Sequence, residues 1–562
     1  MHHHLSLRGK LIIMVSVMAS LFLVALDQTI IATALGKIVE EFNAFSSLSW
    51  IVTSYLITTT MTVPIAGKLS DIFGRRNILL IGVAIFVGAS LMSGVSANVT
   101  ELVIWRGAQG IGGGIITANA FTIVGDLFAA RERGRWQGLI GAVFGFASVV
   151  GPLLGGWLTD GQSIFNLTTD WRWTFYINVP IGIVAFILIA IYTPALRHAA
   201  KAKIDYIGAG LLSISLATLI LAVDNTEMIF ADLMSATGLS LVGLRVIMFS
   251  IVALATAGFI YIENKVSHPI LPLKFFKNRN YLTILIIATL FGAAFMGSIL
   301  YLTQFNQQVF GASPTESGMM LLPMVGGIML SSIVSGQIIS RTGRYKIFMQ
   351  VGFVVATGAM VALAFLSPEM TYAYEAVVMT ILGLGMGVAM PVLNLAIQNE
   401  VEQKDLGVAT SSSQLFRSLG STIGTAVFGA LLTTGILTQA PEMRDTSYVQ
   451  SLASNAQVAK IGTIDDPSTL LTLNMPDIKK EINAVANNEF EKLPPAARKE
   501  ASDTFAKSQE EFANKVTHVF SDSLQRIFIV ASALIGLSAV LVFTLKEKKL
   551  RSASPEMTPG EQ

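Results

Sequence analysis

The chain has 562 residues, 52% of them hydrophobic and only 13% charged, with 48 glycines and a formal net charge of +2. A soluble chain of this length would carry roughly a quarter charged residues, so the composition is that of an all-α polytopic membrane protein, with no nucleic-acid partner expected. Cysteine is absent, which excludes disulfides and thiolate metal sites.

Apolar windows of about 20 residues predict fourteen spanners, near 11–35, 48–67, 78–97, 102–125, 136–159, 173–193, 205–223, 245–263, 281–305, 316–340, 347–367, 374–398, 407–436 and 526–546. The opening "MHHHLSLRGK" holds a three-histidine run, native or engineered. No small-residue cleavage site follows it, so the first apolar run is expected to be a retained spanner. Lys and Arg gather in the termini and alternate loops, as the positive-inside rule requires of an even number of spanners with both termini cytoplasmic. Residues 437–525 form a charged insert with amphipathic spacing. The topology places it outside, as a small helical cap or, alternatively, a partner-docking or substrate-shielding domain.

"GKLSDIFGRR" (67–76) resembles "GQIISRTGRY" (336–345), aligning Gly67 with Gly336, Gly74 with Gly343 and Arg75 with Arg344 at a shift of 269. The same shift takes Gly138, Gly151 and Gly155 onto Gly407, Gly420 and Gly424. Two distant glycine sets sharing one offset imply duplicated halves in the same orientation. The expected organisation is a six-helix bundle over 1–200, a linking pair over 201–270, and a second bundle built from 271–436 and the last spanner in 526–562. A central cavity between the halves would open to one side at a time.

Within this frame the polar residues in spanners carry the chemistry. Asp27 interrupts the first spanner ("LVALDQTIIATAL") and Arg106 the fourth ("VIWRGAQGIGGG"), with Gln109 a turn further on the same face. Intramembrane charges are costly and normally face a partner or a wet cavity, and the antiparallel spanners bring these two to similar depth. Their pairing across the cavity is expected, directly or through water; snorkelling of Arg106 to the outer interface is the plainer alternative.

In "GKLSDIFGRR", Gly67 and Gly74 allow close approach and a tight turn. Asp71 is expected to meet a helix N-terminus or a basic partner such as Arg131 or Arg135, in an ion pair that forms while the inner side is closed and breaks as it opens. Ser340 stands in the aspartate's place in the second copy, so the charged latch is expected in the first half. In the fifth spanner, Gly141, Gly145 and Gly155 with the Gly151–Pro152 pair give small faces and a bend. Trp171, Trp173 and Tyr176 in "DWRWTFYINVPIG" are expected as interfacial anchors.

In the second half Gln304, Asn306, Asn394, Gln398, Gln414 and Arg417, with Phe291, Phe295, Tyr301 and Met324, are candidates for a mixed cavity wall, though each alone is more often helix–helix glue. No acid deep in the second half is evident as a partner for Arg417. No phosphate loop, zincin pair, nucleophile elbow or acidic metal loop is found, and neither an enzyme, a metal nor a cofactor is expected.

With these motifs in this order, the chain resembles the major facilitator superfamily, in particular its fourteen-spanner bacterial drug:proton antiporter family. "LDQTIIATAL", "GKLSDIFGRR", "RGAQGIGGG", "GPLLGG", "WRWTFYINVPIG" and "QLFRSLGSTIGTAVFGALL" carry the resemblance, which covers most of the chain outside 437–525. It implies the major facilitator fold, with two six-helix bundles plus two inserted linking helices. It also implies proton coupling through Asp27 and Arg106, a conformational latch at Gly67, Asp71, Gly74 and Arg75, and an antiporter signature at Gly151, Pro152, Gly155 and Gly156. The expected function is export of lipophilic drugs or related small molecules, driven by the proton gradient, by a monomer in the bacterial cytoplasmic membrane. Alternatives are a dedicated exporter of one metabolite, siderophore or lipid, and a non-transporting receptor or scaffold using the outer insert. The absence of further deep acids speaks against strongly polycationic cargo.

Overall fold

The computed structural model describes residues 6–550 except 43–47, 160, 162, 165–166, 194–203, 224–225, 313, 453–466 and 475. The histidine run and part of the predicted insert therefore lie outside the described residues. Fourteen long helices form the body. The first bundle holds α1 (Leu7–Phe42), α2 (Leu48–Phe73), α3 (Arg75–Gly94), α4 (Val99–Leu127), α5 (Ala130–Thr159) and α6 (Asn178–Tyr192). A linking pair follows, α7 (Tyr206–Val223) and α8 (Leu241–Glu263). The second bundle holds α9 (Arg279–Gln308), α10 (Leu322–Thr342), α11 (Lys346–Leu363), α12 (Tyr372–Gln398), α13 (Leu406–Arg444) and α14 (Pro495–Thr544). The described strands are one two-residue antiparallel pair, Ser163–Ile164 with Leu167–Thr168.

Among the described residues, thirteen helical spans are long and apolar enough to cross a membrane. Helix α2, with its run of Ser and Thr, packs along α4. Its hydroxyls are absorbed by backbone: Thr58 donates to the Ser54 carbonyl at 3.0 Å and Thr59 across to Gly110 at 3.0 Å, the usual way small polar residues join helices in lipid. Helix starts follow sequence caps. Asn98 accepts from the Glu101 amide at 2.9 Å while the Glu101 carboxylate accepts from Ala97 at 3.0 Å, a reciprocal capping arrangement. Gly74, at φ 93°, separates α2 from α3 as the sole intervening residue, a turn that a side chain would strain.

The duplication is visible in packing. Gly343 turns α10 into the next loop with φ 71°, as Gly74 does after α2. Gly151 abuts Thr29 of α1, and Gly420 abuts Thr289 of α9; Gly155 then meets Ile30, and Gly424 meets Ala293. Shifts drift along the chain: the Gly82–Gly112 contact of α3 and α4 is repeated by Gly352–Gly385 of α11 and α12, at shifts of 270 and 273. Gly420→Val should therefore drive a side chain into the Thr289 backbone. Overpacking of this kind costs about 1–3 kcal/mol, read as a fall in melting temperature of the detergent-purified protein; an unchanged melt would refute backbone-level contact there.

One end of the bundle collects both described chain ends. Lys10 lies over the Phe128 ring, the Leu550 amide donates to Gly343 at 3.3 Å, and Lys548 pairs with Glu400. We term this the terminal face. The opposite, insert face carries short helices Ser447–Leu452, Pro467–Leu473 and Pro476–Phe490. There α13 and α14 run past the predicted limits of their spanners, because Tyr448, Phe490, Phe505 and Phe512 form an aromatic cluster that gives the extended helix an apolar surface to pack on. The linking helices pack on each other, joined by a Ser215–Thr256 hydroxyl bond of 2.7 Å, and α7 rests against α2 and α13.

Candidate transport site

In the first bundle, Asp27 and Arg106 meet directly: Arg106 Nη1 lies 2.5 Å from Asp27 Oδ2, with both side chains 1% exposed. Gln109, three residues along α4 from Arg106, donates to Asp27 Oδ1 at 2.8 Å and accepts from Arg106 at 2.8 Å. Asn178, at the start of α6, lies 3.3 Å from the same carboxylate oxygen and also bonds Ser90 at 3.0 Å. The guanidinium stacks on Tyr55 at 4.5 Å. Three helices, α1, α4 and α6, thus meet at one carboxylate, and the neighbouring Gln28 is exposed. Such a buried pair is held only while its geometry is kept, because separating the partners leaves uncompensated charge in a medium of low dielectric.

At the terminal face, Arg75, fully buried, bridges Asp71 one turn before it and Asp126 at the end of α4, the latter at 2.8 Å; it also bonds Ser70. The expected partner for Asp71 was Arg131 or Arg135, and the structure corrects this. Arg135 lies over the Trp136 ring instead, and Arg131 reaches across to the Ser340 carbonyl at 2.9 Å. Spacing explains the difference, because Arg75 follows Asp71 at the i, i+4 distance where helical side chains meet. The cluster sits against the start of α13, where a Cβ on Gly407 would stand 2.6 Å from Asp71 Oδ1 and 2.7 Å from Arg75 Nη1. A Cβ on Gly67 would likewise collide with Ser411, 2.9 Å from the Gly407 carbonyl. Gln137 donates to Gln398 at 3.0 Å, Gln398 to the Phe121 carbonyl at 3.1 Å, and Arg133 to Gln403 at 3.3 Å. The two bundles are therefore clasped at the terminal face.

The fifth-helix glycines divide by neighbour. Gly151 and Gly155 seat α5 on α1, Gly141 and Gly145 seat it on Ser332 and Met329 of α10, and Pro152 lies beside Gly318; Gly156 is buried on the same helix. The tryptophan motif is partly reassigned: Trp171 is 2% exposed, donating to Glu41 at 2.6 Å with its edge on Phe42. Arg172 beside Glu41 holds that carboxyl below its usual range. Tyr176 donates to the Gly94 carbonyl at 2.8 Å.

The candidate cavity wall of the second half separates into two groups. Tyr301 is 4% exposed, edge-on to Phe428, and Asn394 donates to its own helix at Met390; both are packing residues. Gln304, Phe295 and Arg417 stay partly exposed, Phe295 stacked on Phe291 at 5.4 Å. Gln414 is buried and accepts from Arg417. A buried acid that the sequence reading did not single out, Glu375, stands near the end of a spanning helix in this half. It lies a turn into α12, fully buried, with the Asn306 amide of α9 donating to both of its oxygens at 2.9 and 2.8 Å. Helices α9 and α12 occupy the places of α1 and α4, so each bundle holds a buried carboxyl between equivalent helices. Among the described residues no group of three or more metal-ligating side chains comes together.

Comparison with known proteins decides the family. The family described as Major Facilitator Superfamily matches residues 17–425. The chain belongs to the major facilitator superfamily. Among relatives, a multidrug transporter protein of Bacillus subtilis, MdtP, is 34% identical over 556 residues, covering 97% of this chain and 95% of that protein. Multidrug resistance protein 3 of the same organism is 34% identical over 75% of this chain and 79% of its own length. Two solved major facilitators share the fold. The proton:xylose symporter XylE aligns with a TM-score of 0.55 at 15% identity, over 76% of this chain and 90% of its own. A bacterial homologue of the lysosomal transporter Spinster aligns at 0.54 and 14%, over 97% and 99%. This major facilitator is thus a multi-pass membrane transporter rather than an enzyme.

Within this major facilitator the residues that sequence reasoning missed are Asp126, Asn178 and Glu375. Asp126 and Glu375 stand near helix ends, where a carboxylate ordinarily meets water; Asn178 was passed over inside a motif read for its aromatic residues. Only the fold turns them inward.

Proposed function

We propose that the chain is a proton-driven antiporter that exports lipophilic drugs or related small molecules from the bacterial cytoplasm by alternating access. It works as a monomer with both termini inside and no cofactor beyond the gradient. The observation that carries the reading is the Asp27 carboxylate held by Arg106, Gln109 and Asn178 at the meeting of α1, α4 and α6. Protonation releases Arg106, loosens the helices and favours one arrangement of the bundles; deprotonation on the other side restores the pair. The clasp of Asp71, Arg75 and Asp126 against α13 closes the terminal face during the outward-directed half of the cycle. Relatives named as multidrug transporters support the cargo class.

The test is gradient-dependent transport in everted vesicles across a panel of lipophilic dyes and drugs. Uptake should collapse when a protonophore is added and cargo should drive counter-movement of protons. Uptake that survives collapse of the gradient would refute the coupling.

A further inference from the structure

Arg417 carries a charge that the proton-coupling site and the clasp leave unused. It is the twelfth residue of α13, roughly 17 Å along the helix from its first residue, and so lies deep in the spanning zone. Its stem passes Gly292 of α9, where an added Cβ would stand 3.1 Å from Arg417 Cγ. Thr410, two turns earlier on the same face, accepts the Gln398 amide at 3.0 Å where the bundles meet. That face of α13 therefore looks into the protein and not into lipid. Among the described residues the guanidinium has the Gln414 carboxamide oxygen as its partner and no carboxylate. The deep acids are committed elsewhere: Asp27 to Arg106, Gln109 and Asn178, and Glu375 to Asn306.

A guanidinium carries five donors in a planar fork and is expensive inside a membrane unless it meets water or an anion. Arg417 makes one hydrogen bond among the described residues, stays partly exposed, and packs against Gly292 of α9, the helix that also carries the partly exposed Phe295. The fork matches a carboxylate, sulfonate or phosphate in bidentate fashion, and the partly exposed Phe295, three residues along α9 from Gly292, offers an apolar body a ring to lie on.

We propose that Arg417 anchors the anionic group of the cargo, and that amphiphilic organic anions with one such group are a substrate class of this transporter. The proposal rests on the efflux reading for the existence of a cargo site, but binding can be measured without transport.

The probes are pyrenebutyrate, pyrenebutanol and pyrenebutyltrimethylammonium, which share one apolar body, titrated onto the full chain in phosphatidylcholine nanodiscs against empty discs. The wild type should hold pyrenebutyrate about tenfold or more tighter than the cation, each tenfold being about 1.4 kcal/mol. Arg417→Gln should lose that preference while its binding of pyrenebutanol is unchanged. Arg417→Lys, which keeps the charge, should keep the preference at lower affinity, and it carries the test if the glutamine variant fails to fold. A wild type without anion preference, a glutamine variant that retains it, or a lysine variant that loses it would overturn the proposal. Abolition of pyrenebutyrate binding by added phosphatidylglycerol would also overturn it, assigning Arg417 to a lipid headgroup. Loss of gradient-driven transport with the anion preference intact would instead count against the efflux reading.

Discussion

Asp27→Asn is expected to reduce gradient-driven export to the level of vesicles lacking the protein, while the variant remains folded in the membrane. The asparagine fits the space and keeps an oxygen that accepts from Arg106, while its amide nitrogen meets the Gln109 and Asn178 amides, which must turn to present their oxygens to it. It cannot gain or lose a proton, so the step that separates α1 from α4 loses its trigger. Removing the other partner should act differently. Arg106→Ala leaves the Asp27 carboxylate buried without its cation, a loss of about 3–5 kcal/mol in comparable pairs, visible as a large drop in melting temperature. The double variant Asp27→Asn with Arg106→Gln should recover much of that stability and none of the transport. Wild-type pumping by Asp27→Asn would remove Asp27 from the mechanism.

Arg75→Gln is expected to shift the protein toward the state open at the terminal face. Arg75 is fully buried and bridges two carboxylates, Asp71 and Asp126, so its loss sets two acids against each other beside Gly407. The chain has no cysteine, so Ser411→Cys supplies a single reporter at a position 1% exposed and pressed against Gly67. Maleimide labelling at that site should accelerate by about tenfold or more in the Arg75→Gln background, a population shift of about 1.4 kcal/mol or more. Arg75→Lys should give an intermediate rate, because an ammonium is a point charge and cannot fork between two carboxylates. Equal labelling with and without Arg75 would show that the cluster does not hold the face closed.

The helices and their duplication were legible because lipid leaves a chain few options. Every backbone group must be satisfied within a helix, so apolar length maps directly onto structure. The glycines at 151, 155, 420 and 424 announced themselves by a shared offset. Asp27 and Arg106 were legible for the opposite reason: charge in a spanner is so costly that it marks itself. What stayed hidden was partner choice near helix ends. Asp71 pairs with Arg75 and not Arg135, Trp171 turns inward to Glu41, and Glu375 disappears beneath Asn306. In those zones water and protein compete for the same polar groups, and only packing between distant segments settles which wins. Arg417 was visible as an anomaly, but that no acid stands opposite it depends on where every other acid goes.

Helix α14 runs unbroken for 50 residues, roughly 75 Å at 1.5 Å per residue, far more than a bilayer requires. Its C-terminal part packs against α9 and α11, while its N-terminal part carries the aromatic cluster of the insert face. The insert is consequently mounted on a rigid mast that belongs to one bundle alone. Any tilt of the second bundle relative to the first is magnified at the mast's tip. A fluorophore on the exposed side of that tip, paired with one on the first bundle, would read relative movement of the two bundles from the insert face, away from the Asp27 and Arg417 sites.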